Sequence, residues 1–232
     1  MKHYELVLFD LDGTLLDTSP GIFNSVRYAE SQMGLSTIPD ARLREFVGPP
    51  PKSMYQCIYG LTEDQAFLAA QKHREYGKTK AIYEAKVYPG IRELLAQLKT
   101  NGYKLAVATL KAETIAQTIL EYYGIAEYFD TIVGMDPQET LTKRMTIDLA
   151  KERTGSAGKA ILVGDSIYDY DGAMEAGIDF LGVLYGFGFA PENSYPFDAV
   201  MTAAEVGTYL DSQQIALDFV TEPKFVRVED CT

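Results

Sequence analysis

Cysteine and histidine are scarce in this chain of 232 residues, which contains two of each. Cys57 and Cys231 lie far apart without a CxxC pair, and no charged-then-apolar leader precedes the first predicted strand, so we expect a reduced, cytoplasmic location. His3 and His73 have neither a metal-ligand spacing nor a nucleophile beside them. We therefore expect both histidines to have surface or packing roles and no part in catalysis.

Basic residues and long apolar runs are also few. The 21 basic residues against 33 acidic ones give a net charge of −12, which opposes approach to a nucleic-acid backbone or an anionic membrane. The longest apolar runs are too short to span a membrane, and internal repeats and low-complexity tracts are absent. We expect no nucleic-acid or membrane partner, and a monomer or small homo-oligomer.

The length of 232 residues fits one large domain or a core with a smaller insertion, and a hydrophobic content of 47% is enough to bury a sizeable core. From Tyr88 onward, apolar runs alternate with helical patterns, which is typical of βαβ units and a parallel sheet. After a first strand near the N-terminus, the predicted strands are residues 104–109, 131–133, 160–163 and 180–184. The predicted helices between them are residues 90–99, 112–123, 143–152 and 168–176.

Residues 18–87 keep helical periodicity without a convincing buried strand, so we predict an all-helical insertion there and a core formed by residues 1–17 and 88–210. Within the insertion, Gly48-Pro49-Pro50-Pro51 is either a loop facing a site or a stiff connector between helices. Residues 211–232 are predicted to form an appendage of unassigned role, with short strands at 215–220 and 225–228. The predicted fold class is α/β, a Rossmann-like parallel sheet core with helices on both faces and an inserted all-helical domain.

The most informative segment runs from Val7 to Thr18, because it places Asp10 and Asp12 where an apolar run ends. Such a run predicts a buried parallel strand whose carboxyl end opens onto a loop, the place where sites form in open α/β sheets. Gly13 has no Cβ and permits a bend that turns both acids toward the same space. Two carboxylates held together in this way need a cation or a shared proton.

Two other interpretations of short motifs fail. In a calcium-binding loop aligned on Asp10, Leu8 would be the first ligand and Ser19 the last, and neither can act as a carboxylate ligand. The segment Gly186-Phe187-Gly188 lacks the third glycine and the following helix start of a dinucleotide site, so we predict a loop at a strand end. A lone pair of acids like Asp10 and Asp12 is nevertheless equally compatible with a metal-free strand end or a solvated turn.

Three further segments place polar groups at the ends of predicted core strands or at a helix start. One strand ends at Thr109 and is followed by Lys111, a helix begins near Lys143, and another strand leads to Asp165 and Asp169. Each segment alone is weak, because strand-end threonines often cap helices and lysines at helix starts are usually solvated. In this order after the DxDGT segment, they resemble the four motifs of the haloacid dehalogenase-like superfamily across nearly the whole chain. Members are mostly Mg²⁺-dependent phosphotransferases that pass through an aspartyl-phosphate.

The resemblance implies a role for each matching residue. Asp10 would be the nucleophile, and Asp12 would protonate the leaving alkoxide and later take a proton from the hydrolytic water. Thr109 and Lys143 would hold the remaining phosphoryl oxygens. The cofactor Mg²⁺ would bind the Asp10 side chain, the Asp12 main-chain carbonyl and the Asp165 carboxylate, with Asp169 completing this metal-binding set by orienting ligands or waters.

The resemblance also implies that residues 18–87 form a helical cap that closes over the strand ends, with hinges near residues 17–19 and 84–88. Two departures from the family pattern concern the phosphate site. Leu110 follows Thr109 where relatives often carry Ser or Asn, and the segment before Lys143 lacks the common Lys-Pro form. Lys111 is therefore an alternative to Lys143.

An acid at position 12 argues against a dehalogenase, because haloalkanoate release needs no leaving-group proton. Segments near Phe46, His73, Tyr88 and Tyr185 resemble the phosphoglycolate phosphatase and 5′-nucleotidase-like group. We therefore predict a Mg²⁺-dependent phosphatase that hydrolyses a small phosphorylated metabolite, most similar to phosphoglycolate phosphatases. The alternatives are a 5′-nucleotidase, a β-phosphoglucomutase-like phosphomutase, a pyrophosphatase and, against the intact acids, a non-catalytic binding protein.

The substrate beyond its phosphate should contact the cap. The candidate substrate-binding residues are Gly13, Arg44, Lys52, Arg74 and Lys111. For each cap cation the alternative is a solvated helix charge. A carboxylated substrate would need one of the cations, whereas a nucleoside would use aromatic faces such as Tyr55 or Tyr59, and the sequence leaves both open.

Overall fold

The computed structural model describes residues 4–218 of the chain. The strands are β1 (Leu6–Phe9), β2 (Leu16–Asp17), β3 (Lys86–Val87), β4 (Lys104–Ala112), β5 (Thr131–Met135), β6 (Ala160–Gly164), β7 (Asp179–Val183) and β8 (Asp198–Val200). The helices are α1 (Ser19–Met33), α2 (Asp40–Leu43), α3 (Pro51–Tyr59), α4 (Glu63–Thr79), α5 (Ile91–Thr100), α6 (Glu113–Tyr122), α7 (Lys143–Thr154), α8 (Ile167–Glu175) and α9 (Ala203–Asp218).

In this described part, a parallel sheet has the strand order β5-β4-β1-β6-β7-β8. Its central strand β1 pairs on one side with β4 and on the other with β6, so that Val7 lies opposite both Leu105 and Ile161. From β1 the chain runs outward through β4 and β5 and then returns to the other side at β6. The carboxyl end of β1 is thus the point at which the strand order reverses, where ligands bind in open α/β sheets.

The side chains of β1 alternate between the two faces of the sheet, as its extended backbone requires. Val7 and Phe9 pack in an apolar cluster with residues of α5, α6 and α9, whereas Leu6 and Leu8 pack in a second cluster with residues of α7 and α8. All four side chains are fully buried. The predicted α/β fold with helices on both faces is therefore confirmed.

Residues between β2 and β3 form helices with an apolar cluster of their own, which includes Val26, Phe46 and Tyr55. Helix α4 begins with a capping box between Thr62 and Gln65. The two segments that connect these helices to the core run side by side, because β2 and β3 pair antiparallel. These two-residue strands were not predicted, and they lie where the hinges are expected.

Four details differ from the sequence prediction. Strand β4 continues past Thr109 to Ala112, with a shift of register against β5 after Ala108. Strand β8 and helix α9 were not predicted, and α9 runs through the boundary placed at residue 210. The predicted strand at residues 215–220 is wrong for residues 215–218, which are helical because the buried Val206 and Leu210 anchor α9 on the core and packing overrides β propensity. Residues 219–220 and the strand predicted at 225–228 lie outside the described residues.

Within residues 4–218, none of the helices combines the length and apolar character needed to cross a membrane.

Candidate active site

Two acids follow neighbouring strands of the sheet. Asp10 comes directly after β1 and Asp165 directly after β6, and their residues are only 6% and 2% exposed. Asp169 lies in the first turn of α8, where its carboxylate accepts hydrogen bonds from the amide and hydroxyl of Ser166 at 3.0 and 2.7 Å. This capping box fixes Asp169 beside the strand ends.

Carboxylate oxygens of Asp10, Asp165 and Asp169 lie within 4.8 Å of one another. Burial raises the pKa of Asp10 to about 7, against the opposing effect of Lys143 and with a further rise from Asp169 and Asp12. Burial, with Asp169 and Asp10, also raises the pKa of Asp165 well above its usual range. Acids crowded and desolvated in this way are stabilised by a cation. Because the donors are all hard oxygens, the set fits Mg²⁺.

Lys143 supplies one positive charge to this group. Its Nζ lies 2.6 Å from Asp10 Oδ1 and 2.5 Å from Asp169 Oδ1. Burial alone would lower the pKa of the lysine, but the two carboxylates raise it overall, so the ammonium stays protonated. Lys143 opens α7, where the Thr142 hydroxyl caps the helix by accepting from the Met145 amide at 3.3 Å.

Helix α8 approaches Lys143 so closely that Gly172 is required there. A Cβ at position 172 would lie 2.5 Å from Lys143 Cγ, shorter than any normal contact. The glycine thus lets α8 hold Asp169 against the ammonium group.

Asp12 has separate partners. Its carboxylate accepts from Lys111 Nζ at 3.0 and 3.1 Å and from Thr18 Oγ1 at 2.5 Å. Lys111 extends from the irregular end of β4, where its amide donates to the hydroxyl of the buried Thr109 at 3.2 Å. The two lysines proposed as alternatives therefore contact different acids, and Asp12 is not part of the group in which the other three carboxylates lie within 4.8 Å of one another.

Gly13 has a φ of +87°, and a Cβ there would overlap the Asp165 carboxylate. The backbone at this position therefore needs glycine for both its conformation and its contact with Asp165. Asp165 also accepts from Thr14 Oγ1 at 3.1 Å and from the Phe187 amide at 2.8 Å. The loop predicted around Gly186 thus contacts the acid group. No role was predicted for Thr14, whose hydroxyl donates to Asp165, or for Thr18, whose hydroxyl donates to Asp12. Thr18 follows Asp12 closely enough in sequence to have been a candidate.

A cavity of about 830 Å³ lies between the core and the helices of residues 18–87. Asp12, Lys111 and Glu139 line it from the core. Gly48 to Pro51 line it from the opposite side, which favours the loop facing the site over the simple connector. The cavity therefore connects Asp12, the predicted acid and base, to the inserted helices, whereas Asp10, Lys143, Asp165 and Asp169 do not line it.

The three cap cations have different surroundings. Arg74 on α4 lines the cavity and forms an ion pair with Glu139 of the core. Arg44 is exposed, and Lys52 pairs with Glu63 at 2.7 Å. Neither lines the cavity. The structure brings only Arg74 of these three to the described cavity.

The two candidate aromatic residues also lie away from this cavity. Tyr55 is fully buried within the cap helices, and Tyr59 donates to Glu30 at 2.7 Å. His73 packs with Phe46 and lies 3.4 Å from the Tyr55 hydroxyl. Burial, with nearby Lys111 and Arg74, lowers the pKa of His73 to about 3, so the imidazole is neutral, in accord with the expected packing role.

Comparison with known proteins gives the same family as the sequence motifs that resemble the haloacid dehalogenase-like superfamily. The family model described as haloacid dehalogenase-like hydrolase matches residues 7–183. A 5′-nucleotidase from Pseudomonas aeruginosa is 36% identical over 82% of this chain and 86% of its own. A phosphoglycolate phosphatase from Caulobacter vibrioides is 27% identical over 93% of this chain and 92% of its own.

Solved structures agree with the sequence relatives. The crystal structure of a predicted phosphatase from Clostridium acetobutylicum superposes with a TM-score of 0.84 at 38% identity, covering 90% of this chain and 99% of that one. The match extends over both the sheet and the inserted helices. The chain therefore belongs to the haloacid dehalogenase-like hydrolase family.

Proposed function

We propose that the protein is a Mg²⁺-dependent phosphatase that hydrolyses a small phosphomonoester through an aspartyl-phosphate intermediate. The observation that carries the proposal is the division of the acids into two environments. Asp10 lies with Lys143, Asp165 and Asp169, whereas Asp12 is held by Lys111 and Thr18. The environment of Asp10 suits a nucleophile and a metal ion, and the environment of Asp12 suits a general acid and base.

In the first step, a carboxylate oxygen of Asp10 forms a bond to phosphorus as the bond to the leaving oxygen breaks. Asp12 gives its proton to that oxygen, and the alcohol leaves. Lys143 and the Thr109 hydroxyl hold phosphoryl oxygens and offset their charge. The pKa of Asp10 is raised to about 7 by burial even though Lys143 lowers it, so a further cation beside Asp10 would favour the reactive carboxylate near neutral pH.

In the second step, Asp12 takes a proton from water, whose oxygen bonds to phosphorus as the bond to Asp10 breaks. Phosphate leaves, and Asp12 is again protonated for the next cycle. Asp10, Asp165 and Asp169 would hold the metal through carboxylates, and Asp12 through its main-chain carbonyl. When bound, Mg²⁺ neutralises charge on the phosphoryl oxygens.

Among small phosphomonoesters, phosphoglycolate-like substrates have the better support. Arg74 lines the cavity, whereas Tyr55 and Tyr59 do not. A 5′-nucleotidase is the second candidate, favoured by the cavity volume of about 830 Å³ and by the 36% identity to a 5′-nucleotidase. A phosphomutase would instead require a bisphosphate, and a pyrophosphatase would cleave an anhydride with less need of Asp12.

Phosphate release tests these alternatives directly. The panel contains phosphoglycolate, nucleoside monophosphates, sugar phosphates and pyrophosphate, with Mg²⁺ or EDTA, for wild type, Asp10→Asn and Asp148→Asn. Asp148 is an exposed acid of α7 outside the cavity and serves as the matched control. We expect release that EDTA and Asp10→Asn abolish and Asp148→Asn preserves. Wild-type protein inactive on the whole panel, or equally active in EDTA, would contradict the proposal.

A further inference from the structure

Glu139 adopts a backbone conformation that residues other than glycine rarely use. Its φ is +57°, and it is the one non-glycine residue with positive φ in the described part of the chain. The left-handed region is costly for a residue with a Cβ, and such residues cluster at functional positions. The side chain at position 139 therefore needs an explanation beyond the turn.

The surrounding loop holds Glu139 in this conformation. The Glu139 amide donates to the main-chain carbonyl of Asp136 at 3.0 Å. The Asp136 carboxylate accepts from the amides of Thr140 and Leu141 at 2.8 and 3.0 Å. Hydrogen bonds therefore hold the loop on both sides of Glu139. Glu139 itself lines the cavity.

Across the cavity, the partner of Glu139 is Arg74 on α4. The two side chains are 15% and 20% exposed, so this ion pair is largely removed from water. A guanidinium is always charged, and leaving it buried without an anion is strongly unfavourable. Arg74 therefore needs a carboxylate, and Glu139 supplies one in this structure.

Most of the other charged groups that line the cavity have partners elsewhere, and Lys78, which also lines it, is exposed to solvent. Lys111 is bound to Asp12, and Arg153 lies 3.2 Å from Glu113. Glu75 lies 2.7 Å from Lys72, and the buried His73 is neutral. Arg74 and Glu139 are thus a charged pair that faces the cavity without contacting the proposed catalytic acids.

We propose that Arg74 binds a carboxylate of the substrate, and that Glu139 occupies the guanidinium when no such substrate is present. This inference rests on the proposed phosphatase function. Asp12 and Arg74 both line the cavity. A substrate whose phosphoryl group lies beside Asp10 and Asp12 would therefore extend toward Arg74. A substrate carboxylate that displaces Glu139 leaves the guanidinium paired. A neutral substrate group cannot replace the Glu139 carboxylate as the partner of Arg74, so it gains no binding energy from the guanidinium. This difference gives selectivity for carboxylated phosphomonoesters.

The test compares two substrates that differ at one group. Phosphoglycolate carries a carboxylate where ethyl phosphate carries a methyl group. Steady-state kcat and KM are measured with both for wild type, Arg74→Gln and Glu139→Gln. The matched controls are Arg42→Gln and Glu45→Gln, which alter an exposed ion pair of the same residue types outside the cavity.

For phosphoglycolate, we expect Arg74→Gln to raise KM at least about 10-fold, because a charge-assisted hydrogen bond is lost. Glu139→Gln removes the internal competitor and should lower this KM about threefold or more. Both changes should alter KM for ethyl phosphate much less than KM for phosphoglycolate, and the two control variants should match wild type with both substrates. Opposite effects of the two cavity variants on KM cannot come from an ion pair that merely holds the cap in place.

Three results would overturn the inference while leaving the phosphatase proposal intact. They are an equal rise in KM for both substrates in Arg74→Gln, a raised KM for phosphoglycolate in Glu139→Gln, and wild type that prefers ethyl phosphate. A wild-type protein that hydrolyses neither substrate nor any other of the panel would overturn both proposals. Glu139→Gln keeps the size and shape of the side chain, so this arm remains decisive if Arg74→Gln folds poorly.

Discussion

Lys111 donates from its ammonium group to both carboxylate oxygens of Asp12, at 3.0 and 3.1 Å. Lys143 instead lies 2.6 Å from Asp10. The two lysines therefore have different tasks in the proposed reaction, one beside the acid and base and the other beside the nucleophile. Their separate removal should have different kinetic consequences.

Replacement of Lys143 by alanine should lower kcat/KM by about 100-fold or more, because a charge that stabilises the transferring phosphoryl group is lost. Lys151→Ala, on the same helix, should retain wild-type kinetics. Initial rates of phosphate release measure both variants. Nearly full activity of Lys143→Ala would instead assign the phosphate contact to Lys111.

Replacement of Lys111 by alanine should slow hydrolysis of alkyl phosphates about 10-fold more than hydrolysis of p-nitrophenyl phosphate. An alkoxide needs a proton from Asp12 to leave, whereas p-nitrophenolate leaves without one. The ratio of kcat values for the two substrate types is the measurement. An equal loss with both would show that Lys111 supports the fold of the site and not proton transfer.

The metal-free protein should lose stability as pH rises from about 4 toward 7. Burial raises the pKa of Asp10 from 3.8 to about 7, so between these values the folded state binds the proton that the unfolded state has released. A raised carboxyl pKa therefore favours folding at low pH, and this contribution disappears as pH passes through the folded pKa.

Urea denaturation in EDTA across this pH range tests the effect. Asp10 should lower the free energy of unfolding by at most about 1.4 kcal/mol for each unit of pH increase. Asp10→Asn should make the overall slope shallower without removing it, because the pKa of Asp165 is raised as well. Identical pH profiles for wild type and Asp10→Asn would refute the assignment.

Mg²⁺ should stabilise the folded protein through the three buried acids. At a concentration 100 times its dissociation constant, a ligand specific for the folded state adds about 2.7 kcal/mol. We expect the Tm of wild type and Asp148→Asn to rise by several degrees with Mg²⁺, and that of Asp165→Asn to rise little. Calorimetry with Mg²⁺ and with EDTA gives the shifts, and an undiminished shift in Asp165→Asn would place the ion elsewhere.

The sequence was sufficient to predict five of the six strands of the sheet, all but β8, and to place Asp10 and Asp165 at strand ends, because β1 and β6 are short apolar runs followed at once by these acids. Such local patterns need no knowledge of distant contacts. The family assignment from these motifs and the α/β fold are confirmed.

The contact between Arg74 and Glu139 could not be predicted, because it joins a cap helix to a core loop far along the chain. The same holds for β2 and β3, whose two-residue strands are too short to give a periodic pattern and exist only as a pair. Helix α9 was also missed, and its Val206 and Leu210 are buried in one apolar cluster with residues of α5, a contact between segments far apart in the chain.

The pairing of β2 with β3 brings the two ends of the inserted segment side by side, with Leu16 opposite Val87 and Asp17 opposite Lys86. The core therefore closes the same short ribbon whatever lies between these ends. We therefore expect that an insert of another length could join these two ends without moving Asp10 in the sheet. If the core carries the proposed reaction and the insert contacts the substrate, this junction would let the recognised group change while the reaction stays the same.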